Sequence, residues 1–219
     1  MENKADKGYS RQLDLEEKFN RYWNQALKTN GEDYLKRLTI NDLVEMKKAI
    51  SNINNLITLK VTLAFVDEIC RLGIIDSVQA GKIIEKVDEQ HPNTNGFDVC
   101  CKKEEDGIDF IAEVKCNIPV GGDEFGAAQR NGIIKDLDGI WEGKGKFDKN
   151  YTDRCDKFMV LLEMQDSNKV KDAMQNLLEN NIQYKDICVN LESNNIDTKH
   201  IYIVYIQLKT VEIENNFNL

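Results

Sequence analysis

Glu113 and Lys115 stand two residues apart in the segment IDFIAEVKC, and on an extended strand that spacing turns both side chains to one face. The alternate set, Ile108, Phe110, Ala112, Val114 and Cys116, is wholly apolar. An acid and a base therefore project together from a strand whose other side is buried. A second acid, Asp98, lies on the preceding stretch FDVCCKK, and Asp106-Gly107 between the two is a dipeptide favoured at the centre of a two-residue hairpin. That turn pairs 105 with 108 and, counting back, 98 with 115. Asp98 is thus predicted directly opposite Lys115 and diagonal to Glu113, on the same face. A four-residue loop over 104–107 sets Asp98 opposite Glu113 instead and keeps the shared face, whereas a three-residue loop sends it to the other side.

Two carboxylates held so close repel each other, and one stays protonated unless a cation holds them. Mg2+ suits the place, because it takes hard oxygen ligands and joins one or two carboxylates to a substrate phosphate while keeping several waters; Mn2+ is the expected substitute. Metal-bound water is a stronger nucleophile, and the ion offsets charge that develops on a phosphate under attack. Lys115 beside it can orient or deprotonate the water and stabilise that charge. Hydrolysis of a phosphodiester is the chemistry this set serves best.

The elements that must position these groups are legible from periodicity. LDLEEKFNRYWNQALK places Leu15, Phe19, Tyr22, Trp23 and Ala26 at helical spacing, and Asn30-Gly31 breaks it. A second helix is predicted over INDLVEMKKAISNI, capped by Thr39 or Asn41, and a third over LITLKVTLAFVDEICRLG, stopped by Gly73. From about Lys82 the period changes to two: KIIEKVD, FDVCCKK, IDFIAEVKC, DKFMVLLEM and HIYIVYIQLK read as strands, with helices over DEFGAAQRNGIIKDLDGIW and NKVKDAMQNLLENN. The expected fold is α/β, a mixed central sheet flanked by helices. An N-terminal helical region over 1–56 precedes a core over 57–219, compact overall.

NTNGFDV followed by IAEVKC resembles the Asp…Glu-x-Lys signature of the PD-(D/E)XK nuclease superfamily. The helix-strand-strand-strand-helix-strand order from about Leu59 to Met164 is similar to that superfamily's αβββαβ core, and the resemblance spans about half the chain. The apolar strand ending in AEVK and the glycine-rich loop and helix after it look most like type II restriction endonucleases. Phe97 stands where the family's signature has proline. The resemblance implies a cytoplasmic, Mg2+-dependent endodeoxyribonuclease with Asp98 and Glu113 as metal ligands and Lys115 as the third catalytic residue. It also implies a further acid from the first core helix, where Glu68 takes the matching place with Glu85 and Glu89 as rivals. The helix after the catalytic strand approaches DNA in such enzymes, which makes Gln129, Arg130, Asn131 and Lys135 candidate contacts with double-stranded DNA. Lys144 and Lys146, with Lys149, form the clearest local positive patch and are candidates for the phosphate backbone. Cutting both strands of a short symmetric site calls for a homodimer, with the N-terminal helices serving dimerisation or DNA embrace. It also calls for a cognate DNA methyltransferase in the same system. A resolvase-like repair nuclease and a non-catalytic assembly protein on a degenerate nuclease fold are the alternative readings.

Composition narrows the field from the other side. A chain of 219 residues with 41% hydrophobic content buries one sizeable core. The net charge of -9 excludes a broadly basic surface, so any grip on nucleic acid must be confined to a cleft. No apolar run near the length of a bilayer span is evident, and MENKADKGYS lacks the apolar centre of a secretion signal, so a soluble intracellular protein is expected. Six cysteines include no CxxC pair, and His91 and His200 are too few for a histidine-based hydrolase or a zinc site. GKGK at 143–146 lacks the spacing of a phosphate-binding loop. Glu163, on the polar side of its strand, is at most a candidate to support the site's residues from behind.

Overall fold

A computed structural model describes residues 6–89, 96–119 and 122–208, with the side chains of 6–10 left aside. His91 and Asn95 lie outside the described residues. The chain divides into two compact units, Met1–Ile53 and Asn54–Leu219.

The first unit contains helix α1 (Asp6–Ala26), a 3-10 turn (Leu35–Arg37) and the beginning of α2 (Ile40–Arg71). After α1 the chain reverses where Lys28 and Gly31 take φ of 54° and 72°, as Asn30-Gly31 led one to expect. The Asn24 amide donates to the Glu32 carbonyl at 2.8 Å and the Asn20 amide to Asp33 at 2.9 Å, which ties the turn back onto the helix. Thr39 caps α2 as predicted: its hydroxyl accepts from the Asp42 N–H at 3.3 Å, while the Asp42 carboxylate accepts from the Thr39 N–H at 2.7 Å.

The two helices expected between 41 and 73 are one helix of 32 residues. Asn54-Asn55 carries no proline or glycine, and nothing else there interrupts the backbone ladder. By length and composition alone α2 is long and apolar enough to cross a membrane. Its second half is nonetheless committed to the second unit's core, where Val61, Thr62, Phe65, Val66 and Ile69 are buried. Gly73, at φ 74°, ends it as predicted, with the Ile74 N–H returning to the Ile69 carbonyl at 2.9 Å.

KIIEKVD is not a strand. It forms most of α3 (Ser77–Glu89), opened by reciprocal bonds between Asp76 and Gln79. Its apolar residues Ala80, Ile83, Ile84 and Val87 fall at intervals of three, one and three, which is helical spacing rather than alternation. Among the described residues the sheet still has five strands, because CVN supplies one that periodicity did not show. They are β1 (Val99–Cys101), β2 (Phe110–Lys115), β3 (Asp156–Glu163), β4 (Cys188–Asn190) and β5 (Ile201–Gln207), in the order β1-β2-β3-β5-β4. β1 and β2 are antiparallel and every other pair is parallel, a mixed sheet.

The remaining helices are α4 (Lys103–Asp106), α5 (Ala127–Glu142), α6 (Lys149–Thr152), α7 (Lys169–Glu179) and α8 (Ile182–Lys185). The second half of α2, with α3, packs on the sheet face formed by Phe110, Ala112, Val114, Phe158, Val160 and Val204. α5 and α7 pack on the other, formed by Ile111, Met159, Leu161, Ile201 and Ile203. The second unit is therefore an α/β sandwich with helices on both faces. This explains why β3 and β5 read as nearly continuous apolar runs, since strands covered on both sides have no wet face to alternate toward.

Candidate active site

The site begins at the β1–β2 connection. The strands pair Val99 with Ala112, Cys100 with Ile111 and Cys101 with Phe110, so one further step sets Asp98 opposite Glu113. This is the register of the longer loop, and the two-residue turn that would have put Asp98 opposite Lys115 does not form. Asp106 and Gly107 instead close the helical turn α4. The Asp106 carboxylate accepts from the Lys102 N–H and from the Lys86 ammonium, each at 2.8 Å. Gly107 takes the left-handed φ of 82° that ends the turn. An aspartate whose side chain bonds its own backbone favours this wound conformation over a tight hairpin.

Parity then puts Asp98, Glu113 and Lys115 on the face that α5 covers. Asp98 is exposed and its carboxylate accepts from the Val114 N–H at 2.8 Å. Glu113 is 1% exposed. Two groups that the sequence did not place here complete the cluster. Asp136, buried on α5, receives the Lys115 ammonium at 2.6 Å. Lys144, from the loop after α5, reaches in so that its ammonium lies 2.5 Å from Glu113 and 3.2 Å from Asp136. Its stem runs along α5 at Gly139, where a Cβ would meet the Lys144 Cβ and Cδ at 3.3 Å. The loop that delivers it is held by mutual backbone bonds between Lys144 and Phe147 at 2.8 and 3.1 Å. Gly143 is confined to glycine twice over, by its φ of 105° and because a Cβ would come 2.5 Å from the Phe147 carbonyl oxygen.

The electrostatics follow from this packing. Burial pushes the Glu113 carboxyl up to about 7, the charge of Asp98 adds to the rise and Asp136 adds further, against the opposing hydrogen bond from Lys144. Burial alone would lower the Lys144 ammonium, but its bond to Glu113 and the charges of Glu113 and Asp136 reverse this and hold it above its usual value. The pocket thus disfavours another negative charge and favours a positive one.

The other candidates are placed as follows. Glu68 forms a two-pronged pair with Arg71 at 2.6 and 2.8 Å, which lowers its carboxyl. It sits on α2, and Glu85 and Glu89 are exposed on α3. Both helices cover the face opposite Glu113, so the structure does not bring Glu68, Glu85 or Glu89 to it; the additional acid there is Asp136. Gln129 secures the start of α5, accepting from the Gly126 N–H at 3.0 Å and donating to the Ile118 carbonyl at 3.2 Å. Arg130 donates to the Phe125 carbonyl at 2.9 Å. Asn131 and Lys135 are exposed on the same helix, and Lys146 is exposed with its ammonium over the Phe147 ring. Lys144, expected to face a phosphate backbone, is turned inward. Glu163 caps α7, accepting from the Val170 and Lys171 N–H groups at 3.3 and 2.9 Å.

Asp136 did leave a trace in the sequence. It lies three residues after Ile133 and four before Ile140, both fully buried, so it is a charged residue on the apolar stripe of its helix. Lys144 left none, because only the turn of its loop brings it inward.

Among the described residues, no group of three or more His, Cys, Asp and Glu side chains is arranged to hold a metal. Magnesium does not require one: one or two carboxylates with water and phosphate suffice. Asp98 and Glu113 supply hard oxygens at neighbouring positions of a ladder, so the donor set fits. Comparison of the chain with family models, curated proteins and solved structures returned no match.

Proposed function

We propose that the protein is a Mg2+-dependent endodeoxyribonuclease of the PD-(D/E)XK kind, a restriction-type enzyme acting in the cytoplasm as a homodimer on a short duplex site that a cognate methyltransferase protects. The observation that carries the reading is that Asp98, Glu113 and Lys115 share one sheet face. With the single-turn helices α4 and α6 set aside, the α-β-β-α-β order from α3 to β3 supports it, with one strand fewer than the αβββαβ pattern because KIIEKVD is helical.

Asp98 and Glu113 would hold the metal, which when bound supplies an activated water and neutralises charge at phosphorus. The Val114 N–H fixes the Asp98 carboxylate, and burial between β2 and α5 fixes Glu113. Asp136 holds the Lys115 Nζ on the same face, from where it donates to a non-bridging phosphate oxygen as negative charge grows there. Asp136 is thus a positioning residue for Lys115.

One observation favours a second reading, a non-catalytic assembly protein: Glu113, Lys144, Asp136 and Lys115 form a connected ion-pair chain, so each of these charges is met by another side chain. Digestion separates the two. The purified protein with Mg2+ or Mn2+ and phage DNA should give discrete fragments, and Lys115→Ala should lose them. Absence of fragments from the wild type, or identical behaviour of the two proteins, sinks the nuclease reading.

A further inference from the structure

We propose that the Lys144 ammonium is a built-in cation that occupies the acidic site between Glu113 and Asp136 and is displaced when a divalent metal binds. The inference rests on the metal reading above and adds a competitor for Glu113, the carboxylate that the lysine and the metal would share. Its basis is local. Among the described residues Lys144 is the one group that bridges the two buried acids, at 2.5 and 3.2 Å, and the fold is shaped to let it do so. α5 carries glycine at 139, where any side chain would crowd the lysine stem, and the delivering loop takes a turn at Gly143 that other residues cannot share.

The loop itself is fixed by the Lys144–Phe147 bridge and by Phe147, which is buried against Phe97 and Tyr151 with ring centroids 5.4 and 4.8 Å away. Release therefore needs only the lysine stem to change rotamer toward solvent, which its partial exposure permits. The charges agree with an exchange of this kind. Asp98, Glu113 and Asp136 stand against Lys115 and Lys144, a formal excess of one negative charge. With Lys144 swung out the excess is two, which a divalent ion neutralises. At one site a doubly charged ion has twice the Coulomb attraction of an ammonium and keeps several of its own waters, while the ammonium recovers its hydration on leaving.

The test is Mn2+ binding by full-length protein, followed through the electron paramagnetic resonance signal of the free ion. Lys144→Met keeps most of the stem along Gly139 and removes the competitor. It should bind Mn2+ about tenfold to a hundredfold more tightly than wild type, the range expected for removing a charge-assisted bond, and adding Glu113→Gln to it should abolish the gain. Equal affinities in wild type and Lys144→Met overturn the competition and leave the metal reading standing. Absence of binding by both proteins overturns the metal reading itself, and the competition with it. Amine acetylation of the wild type, read by mass spectrometry, needs no variant. Lys144 should label several-fold faster with saturating Mn2+ than with chelator, relative to exposed Lys135, and an unchanged ratio overturns the proposal.

Discussion

In the folded protein the Glu113 carboxyl ionises near pH 7, against an ordinary value of 4.5, because it is buried and faces Asp98. Between those two values the native state binds a proton that the unfolded chain has lost, so stability falls as pH rises through this window. The stabilising difference is fully present below 4.5 and gone above about 7. At 1.36 kcal/mol per pH unit, the gap amounts to about 3 kcal/mol carried as a penalty at pH 8. Glu113→Gln keeps the shape and stays neutral throughout, so in chelator it should exceed wild type by about 3 kcal/mol at pH 8 and differ little below pH 4.5. At roughly 2–4 °C per kcal/mol for a domain of this size, the melting temperature at pH 8 should rise by about 6–12 °C. Urea unfolding followed by circular dichroism across pH 4.5–8 measures it directly. A variant less stable than wild type at pH 8, or two curves that stay parallel, would show that the pair with Lys144 outweighs burial and refute the electrostatic account.

Three further changes probe the frame. Phe110→Ala removes a ring packed edge-on against Phe65 and Phe158, with interplanar angles of 77° and 89°, and should cost about 3–5 kcal/mol by urea unfolding. Glu163→Ala leaves the Val170 and Lys171 N–H groups of α7 without their acceptor and should cost about 1–3 kcal/mol, with hydrogen exchange accelerated first in Lys169–Glu179. Asp106→Ala removes the acceptor of the Lys102 N–H and the nearer of the two acids that Lys86 meets, Glu105 being the other, again about 1–3 kcal/mol, and should speed amide exchange in Val99–Cys101.

The part of the site that was legible was the part governed by strand parity. Alternation in IDFIAEVKC sorted Glu113 and Lys115 onto the face opposite Phe110, Ala112 and Val114, and β2 has its side chains on those two faces, although Glu113 proves as buried as the apolar set. Parity also carried Asp98 to the shared face although the assumed turn was wrong, because the two-residue turn and the observed connection differ by an even number of residues. Helix and strand identities were less secure where short apolar runs satisfy both periods. KIIEKVD was read as alternating, yet its spacing served a helix, and the Asp76-Gln79 cap that starts that helix precedes the window in which alternation was sought. β4 is three residues long and takes its stability from pairing with β5 rather than from its own pattern.

What stayed hidden depends on contacts across the chain. Lys144 is 31 residues from Glu113, and its approach requires β2 and β3 to lie parallel with α5 crossing between them, then a loop that turns back over that helix at Gly143. By local composition, GKGK is a mobile basic loop, and only the crossover makes its first lysine an interior cation. Asp136 shows the complementary case. A charge on the apolar stripe of an amphipathic helix has to meet an opposite charge when buried, and the face that α5 covers offers Lys115. The partner of a misplaced acid could therefore have been sought among the polar residues of the neighbouring strand, which turns an exception to the helical pattern into a distance constraint on the site.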